Sequence, residues 1–148
     1  MKECEYKISS ASLENIRDHL LLCEGIFSIP LSARLNVDSY AQKLFTKAVT
    51  FEAWKNVELI GLVATYCNSP GMDSAFITNV SVEPRWQGNG IATQLMVNCL
   101  RHISEMGFKK IEMEVDSRNN RAIFLYSKIG FMVSKSSGNS QLMTKNLR

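Results

Sequence analysis

The sequence lacks the marks of several protein classes. No apolar run approaches the roughly 20 residues that a membrane-spanning helix needs, and the polar start MKECEYKISS is not typical of a signal peptide. The four cysteines are far apart and form no C-x-x-C pair, and the two histidines are isolated, so neither a disulfide framework nor a metal site is predicted. We expect a cytoplasmic protein with no membrane segment and no metal.

Charge of one sign does not cluster in this chain. The net charge is +3, and the basic residues are scattered and form no stripe. This balance suits a small anionic ligand, but it is too weak to indicate a nucleic-acid partner. The hydrophobic share of 45% is ordinary, the 148 residues are enough for one core, and no repeat or long linker divides them. We expect residues 1–148 to form a single domain.

Periodicity and turn residues predict the element order β-α-α-β-β-β-α-β-α-β-β, an α+β domain around one mixed sheet. Residues 5–9 are expected to form a strand, followed by a helix from Ser12 to Glu24 that Gly25 ends, an irregular stretch around Pro30, and a second helix capped by Asp38. The later strands are expected in VTFEAW, VELIGLVATYC, AFITNVSV, KKIEMEV, FMVSK and QLMTK. The third helix is expected to end at Gly107, and the fourth to run from about residue 119 to residue 128.

A glycine turn stands directly before the third helix, in the stretch RWQGNGIATQL that begins at Arg85. The first backbone N–H groups of a helix have no intrahelical partner and lie at the positive end of its dipole, and glycine lets that backbone approach an anion closely. Gly88 and Gly90 are therefore compatible with a phosphate site, with a plain turn requirement as the alternative. The G-K-[ST] ending of a P-loop and the third glycine of a Rossmann fingerprint are both absent.

A second polar constellation lies in NNRAIFLYSKIGF, residues 119–131. On a helix, Asn119, Ala122, Ile123 and Tyr126 share one face. Asn119 and Tyr126 are then about 10 Å apart along the axis, at ~1.5 Å per residue. An elongated ligand can touch both side chains.

With these two segments the chain resembles the GNAT superfamily of N-acetyltransferases. The phosphate-loop pattern Q/R-x-x-G-x-G/A is matched by Gln87-Gly88-Asn89-Gly90-Ile91-Ala92, and the preceding V-x-V-x-P is matched by residues 80–84. The later pattern N-x-x-A-x-x-L-Y-x-K-x-G-F is matched at every specified position by residues 119–131. The specific resemblance covers residues ~60–131, and the N-terminal third matches in layout alone.

The resemblance implies a three-layer α/β/α fold and an acetyl-CoA site. The sheet is expected to be mixed and mostly antiparallel, with a V-shaped splay between the fourth and fifth strands that receives acetyl-CoA. The pantetheine arm would pair with the backbone of residues 80–82, and the pyrophosphate would lie on amides of residues 88–93. The implied cofactor-binding residues are Val80, Ser81, Val82, Gln87, Gly88, Asn89, Gly90, Ile91, Ala92, Thr93 and Asn119.

The resemblance also implies the chemistry, which is direct attack of a primary amine on the thioester. An amine is nucleophilic only when neutral, and most primary amines are ammonium ions near pH 7. Glu114 is the candidate base, with Glu83 and Glu112 as weaker candidates. Tyr126 is the candidate proton donor to the departing sulfur, and the backbone N–H of Val80 is the candidate donor to the oxyanion. The resemblance implies no covalent enzyme intermediate.

The acceptor stays open at this point. Acceptor choice is expected to depend on residues 28–40 and 134–141, which carry no specificity motif that we recognise. The carboxylates of Glu112, Glu114 and Asp116 favour a cationic amine, which leaves a small amine, an amino sugar and a peptide N-terminus as alternatives. A monomer and a homodimer are both compatible with the sequence. The alternatives are a non-catalytic acyl-CoA-binding or regulatory domain and a domain that binds another diphosphate.

Overall fold

The computed structural model describes residues 4–23 and 36–147, in which seven strands form one sheet. The strands are β1 (Glu5–Ile8), β2 (Ala48–Lys55), β3 (Glu58–Tyr66), β4 (Ser74–Val82), β5 (Lys110–Asp116), β6 (Met132–Ser137) and β7 (Ser140–Asn146). Their order across the sheet is β1-β2-β3-β4-β5-β7-β6, and every neighbouring pair is antiparallel except β4 with β5. The predicted mixed, mostly antiparallel sheet is confirmed.

Within residues 4–23 and 36–147, four α-helices cover the two faces of the sheet. They are α1 (Leu13–Leu22), α2 (Val37–Lys47), α3 (Ile91–Met106) and α4 (Asn120–Ile129). One core contains Leu20 of α1 and Leu44 of α2 with β3 residues, and the other contains Leu95 of α3 and Tyr126 of α4. The two clusters confirm the predicted three-layer α/β/α arrangement, with α1 and α2 on one face and α3 and α4 on the other.

The start of α2 differs from the prediction. Asn36 caps the helix, since its side-chain oxygen accepts a hydrogen bond from Ser39 N at 3.0 Å, and Asp38 lies inside the first turn. Asn and Asp are similar N-caps, and the two residues are only two positions apart, so sequence alone does not separate them. The predicted helix end at Glu24 and Gly25, and the irregular stretch around Pro30, lie outside the described residues.

The fourth strand has two halves. Its first half pairs with β5 from Ser74, opposite Lys110, to Ile77, opposite Met113, and the pairing ends there. At the same place the register with β3 shifts, because Thr65 is opposite Ile77 and Ala64 is opposite Asn79, which leaves Thr78 as an extra residue in a β-bulge. We call residues 74–77 the paired half of β4, residues 78–82 its open half, and the space between the open half and the end of β5 the gap. The gap is the predicted V-shaped splay.

No helix within the described ranges has both the length and the apolar character needed to cross a membrane. The cytoplasmic location stays a prediction.

Candidate active site

The open half of β4 turns alternate backbone groups toward the gap. Glu83 N donates to Ile60 O of β3 at 2.8 Å, so the backbone of Glu83 points at β3. In an antiparallel ladder successive residues point to opposite sides, and the regular register from Asn79 onward extends this alternation along the strand. The N–H and C=O groups of Val80 and Val82 therefore face the gap, where β5 no longer pairs with them.

The end of β5 also turns backbone groups toward the gap, from the side opposite β4. Leu147 N donates to Lys109 O at 2.8 Å, and Ser117 N donates to Asn139 O at 2.7 Å, so the odd-numbered residues of β5 point their backbone at β7. By the same alternation, the backbone of Glu114 faces the gap. Two strands with unpaired backbone groups thus line a space into which an extended ligand can add its own polar groups.

The glycine loop ends at a helix start with no side-chain cap. Gly90 is the N-cap of α3, with φ 77°, and no side chain accepts from the first turn, whereas Ser12, Asn36 and Asn119 each cap their own helix. Gly88 has φ 85°, and a Cβ built at Gly88 or Gly90 would meet no atom within 4 Å. Open space therefore lies before the helix start, and its geometry fits an anion held by backbone N–H groups.

Two side chains of the loop donate hydrogen bonds to nearby backbone carbonyls. Gln87 Nε2 donates to Val82 O at 3.1 Å, and Asn89 Nδ2 donates to Trp86 O at 3.0 Å. The side chain of Gln87 thus ties the loop to the end of β4 and occupies the carbonyl of Val82. An added ligand strand is left with the N–H of Val82 and with both backbone groups of Val80.

Asn119 is committed to capping α4. Its Oδ1 accepts a hydrogen bond from Ala122 N at 3.1 Å. The side chain keeps its Nδ2 group as a donor for a ligand.

Tyr126 is buried on the α3–α4 face of the sheet. Only 7% of the residue is exposed, it belongs to the same core cluster as Val82 and Val115, and its ring centroid lies 6.3 Å from that of Phe131. Burial raises the pKa of the Tyr126 phenol to about 12, so the hydroxyl stays protonated near neutral pH. It is available there as a hydrogen-bond donor.

Glu114 lies on the opposite face of the sheet. Its strand neighbour Val115 is buried with Tyr126, and side chains of successive strand residues point to opposite faces. The Glu114 side chain is exposed and makes no hydrogen bond or ion pair with any described residue. The structure therefore places the two predicted catalytic residues on opposite faces of the sheet. Glu114 is on β5, which borders the gap, and Tyr126 is on α4, against the other face.

The neighbouring carboxylates of β5 are engaged in ion pairs. Lys110 Nζ lies 3.6 Å from Glu112 Oε2, and Arg118 Nη2 lies 2.7 Å from Asp116 Oδ2. Hydrogen bonds from Arg118 hold the pKa of Asp116 at about 2. Among the acidic residues of β5, Glu114 has the least committed carboxylate.

Glu83, the other sequence candidate for a base, is bound by Arg85. Arg85 donates to its carboxylate from the backbone N at 2.8 Å, from Nε at 2.8 Å and from Nη2 at 2.7 Å. The hydrogen bond from the Arg85 side chain is the main cause that lowers the pKa of Glu83. The Glu83 carboxylate therefore stabilises the turn at the start of the glycine loop through its bonds with Arg85.

The sequence matches a known family. The sequence profile of the acetyltransferase (GNAT) family matches residues 14–131. The chain belongs to this family.

Curated relatives also match part of the chain. The mycothiol acetyltransferase of Paenarthrobacter aurescens is 30% identical over 107 residues, which cover 69% of this chain and 31% of that protein. The chain spans between 16% and 33% of the length of the curated relatives it matches.

Two crystal structures show the shared fold. The ribosomal-protein-S18-alanine N-acetyltransferase of Escherichia coli has a TM-score of 0.77 and 19% identity, over 97% of this chain and 94% of its own. The PaiA N-acetyltransferase of Thermoplasma acidophilum, in complex with coenzyme A, has a TM-score of 0.75 and 17% identity, over 96% and 99%.

Two depressions border the glycine loop and the gap. One of about 410 Å³ lies between α3 and α4 and is lined by Thr93, Val97, Leu100, Leu125, Lys128 and Ile129. The other, of about 330 Å³, lies at the end of β5 beside the β6–β7 turn and is lined by Glu114, Val115, Asp116, Asn139 and Ser140. The first depression adjoins the glycine loop, and the second adjoins the candidate base.

Within the described part of the chain, no group of three or more His, Cys, Asp and Glu side chains is placed to hold a metal ion. The absence of a metal stays a prediction.

Proposed function

We propose that the chain is an acetyl-CoA-dependent N-acetyltransferase that moves an acetyl group to a primary amine by direct attack on the thioester. The observation that carries this proposal is the gap, with backbone groups of Val80 and Val82 on one side and Glu114 on the other. Membership of the GNAT family supports it and does not favour the non-catalytic alternative.

The chain's own residues fit acetyl-CoA along the gap and the loop. Val80 and the N–H of Val82 would bind the pantetheine arm as an added strand, with Asn119 Nδ2 as a further donor. The uncapped amides of Ile91, Ala92 and Thr93, behind Gly88 and Gly90, would bind the pyrophosphate. Lys128, in the depression between α3 and α4, provides a positive charge for the phosphates at the nucleotide end.

Glu114 is proposed as the base because it is exposed and uncommitted. When bound, acetyl-CoA supplies an activated acetyl group and a thiolate leaving group. Glu114 removes a proton from the ammonium form of the acceptor, directly or through a water molecule, so that the amine nitrogen can form the new N–C bond. Glu83 is a poorer candidate for the base, because its hydrogen bonds with Arg85 lower its pKa and a carboxylate with a lower pKa is a weaker base.

Tyr126 is proposed as the donor to the departing sulfur. As the C–S bond breaks, its hydroxyl donates a hydrogen bond or a proton to the thiolate from the face opposite Glu114. The N–H of Val80, which faces the gap, is proposed to stabilise the negative charge on the acetyl oxygen. The amine and the thiolate are therefore handled on separate faces of the sheet.

The acceptor is proposed to be a primary amine, either of a small molecule or of a peptide N-terminus. Among the similar proteins are a mycothiol acetyltransferase and a ribosomal-protein-S18-alanine N-acetyltransferase, so small-molecule amines and peptide amines both belong in a test panel. We also propose that residues 1–148 act as one N-acetyltransferase domain, as a monomer or a homodimer, in the cytoplasm.

Thermal unfolding with acetyl-CoA is the direct test of cofactor binding. A ligand at one hundred times its Kd adds about 2.7 kcal/mol to stability, which raises the Tm of a domain of this size by roughly 6–12 °C. ATP and NAD serve as controls, and a larger shift with either of them would favour a different diphosphate ligand. With acetyl-CoA bound, failure to acetylate any amine in a broad panel would support the non-catalytic alternative.

A further inference from the structure

The open half of β4 has lost its strand partner on one side but holds a fixed bulge. A strand edge without a partner is free to fluctuate, and the bulge adds an unpaired residue. The polar side chains of the open half, on Thr78, Asn79 and Ser81, are nevertheless all engaged in hydrogen bonds. Two of the bonds come from the helices of the α1–α2 face.

Tyr40 of α2 holds the bulge itself. Its hydroxyl donates to Thr78 O at 2.9 Å and lies 2.9 Å from Thr78 Oγ1. A carbonyl can only accept, so the phenol proton goes to Thr78 O, and the Thr78 hydroxyl donates to the phenol oxygen. The carbonyl released by the bulge is thereby fixed at the first residue beyond the β4–β5 pairing.

His19 of α1 holds the other end of the open half. Its Nδ1 lies 3.0 Å from Leu59 O, and its Nε2 lies 2.9 Å from Ser81 Oγ. Because Leu59 O can only accept, the ring proton is assigned to Nδ1, so Nε2 accepts from the Ser81 hydroxyl. Asn79 Nδ2 in turn donates to Ser81 Oγ at 2.9 Å and to Leu62 O at 3.2 Å.

This second network is buried. His19 is 1% exposed, Ser81 2% and Asn79 8%. A buried network with every partner in place defines a single geometry, because each broken bond leaves a desolvated polar group. It fixes Ser81, which stands between the two residues whose backbone groups face the gap.

We propose that Tyr40 and His19 are positioning residues that hold the open half of β4 from the α1–α2 face, in place of the missing β5 partner, so that Val80 and Val82 present their backbone groups to the gap. This proposal rests on the proposed function in one respect: the ligand that uses these groups is acetyl-CoA.

The first experiment needs no ligand. Amide hydrogen exchange is measured for Tyr40→Phe, Ser81→Ala and His19→Asn, with Tyr6→Phe and Ser39→Ala as controls, since Tyr6 and Ser39 have exposed side chains. We expect exchange at Asn79, Ser81 and Glu83 to become about fivefold faster or more in the three variants. Ala75 and Ile77, in the paired half, should keep their rates, as should both controls.

His19→Asn carries the greatest risk to folding, whereas Tyr40→Phe and Ser81→Ala each remove a single hydroxyl. Unchanged exchange in these two folded variants would overturn the proposal. Equal acceleration along the whole of β4 would overturn it too, because the bonds would then stabilise the domain in general.

The second experiment uses acetyl-CoA and kinetics. In Tyr40→Phe and Ser81→Ala, we expect the Kd for acetyl-CoA from calorimetry to rise at least fivefold, while the KM for the amine changes less than twofold. An unchanged Kd together with faster exchange would contradict the role in presenting Val80 and Val82. A wild-type protein that does not bind acetyl-CoA would defeat the proposed function alone, since the exchange result stands without the cofactor.

Discussion

The two halves of β4 are nine consecutive residues of one strand with different surroundings. In the paired half, Ala75 and Ile77 are buried in the core under α3, β5 pairs with all four residues, and β3 pairs with Phe76 and Ile77. In the open half β5 is absent, and Thr78, Asn79 and Ser81 bond to groups on the other face. Apolar packing and strand pairing stabilise the first half, and a polar network takes their place in the second.

This difference teaches how a sheet can keep an accessible backbone without losing order. A strand that leaves its neighbour exposes N–H and C=O groups, which a ligand can use only if they do not move. Side-chain hydrogen bonds from the far face leave the gap itself clear. The paired half sets where the strand lies, and the open half is where the family's cofactor is proposed to bind.

The largest expected effect is a loss of stability in acid that begins in the open half. Burial lowers the pKa of His19 from 6.5 to about 4, so the unfolded chain takes up this proton more readily than the folded one. Its stabilising contribution is complete above pH 6.5 and is lost as the pH falls toward 4. Each pKa unit corresponds to about 1.4 kcal/mol, so the loss reaches about 3 kcal/mol.

Urea unfolding between pH 7 and 4.5 checks this expectation. Glu83, whose pKa is lowered, loses its contribution only below its ordinary value of 4.5, so the chosen range isolates His19 from it. In His19→Asn the dependence of the unfolding free energy on pH should be smaller over this range. An equally steep dependence in the variant would show that another group is responsible.

Next in size is the loss of the base beside the gap. Glu114→Gln should lower kcat about 100-fold, the usual scale for a general base, while acetyl-CoA affinity is unchanged. Glu112→Gln is the matched control, because Glu112 lies on the same strand opposite Phe76 of the paired half and is engaged by Lys110. The deficit of Glu114→Gln should shrink at alkaline pH, where the amine is already neutral. Equal losses of kcat in the two variants would mean that the carboxylate beside the gap matters no more than the one beside the paired half of β4.

Tyr126→Phe should lower kcat at least tenfold and change the Kd for acetyl-CoA less than twofold. The phenyl ring keeps its packing on Phe131, and only the hydroxyl that is proposed to donate to the departing sulfur is lost. Steady-state kinetics and calorimetry on the same preparation separate the two quantities. A normal kcat would exclude Tyr126 as the proton donor.

The smallest effect sharpens the comparison from the paired half. Ile77→Val removes one methylene from a side chain that is 3% exposed, and should cost about 1 kcal/mol of unfolding free energy. Acetyl-CoA affinity should stay the same, because Ile77 lies before the gap opens. Weaker cofactor binding in this variant would mean that the two halves act as one unit.

Local patterns in the sequence predicted the elements well, and family motifs predicted the gap. The alternating strand KKIEMEV, the apolar stripe of α3 and the helix before Gly130 follow from spacing within a few residues. The helix start at Asn36 was missed because two cap-forming residues stand close together.

The positioning residues carry no local signal. The Tyr40–Thr78 bond joins residues 38 positions apart, and the His19–Ser81 bond joins residues 62 positions apart. An isolated histidine on an apolar helix face gives no indication of a partner in β4, which lies beyond α2, β2 and β3 in the chain. The hydrogen bonds from Arg85 to Glu83 likewise depend on the turn at Pro84, which brings the two side chains together.

Nuclear magnetic resonance of backbone amides during addition of acetyl-CoA tests the central claim most directly. The account predicts that the largest changes in chemical shift occur at Val80, Val82, Gly88, Gly90 and Thr93. Changes at Ala75 and Ile77 should be small, and ATP should not produce this pattern. Changes that are absent from Val80 and Val82, or that centre on the paired half, would contradict the claim that the gap receives acetyl-CoA as an added strand.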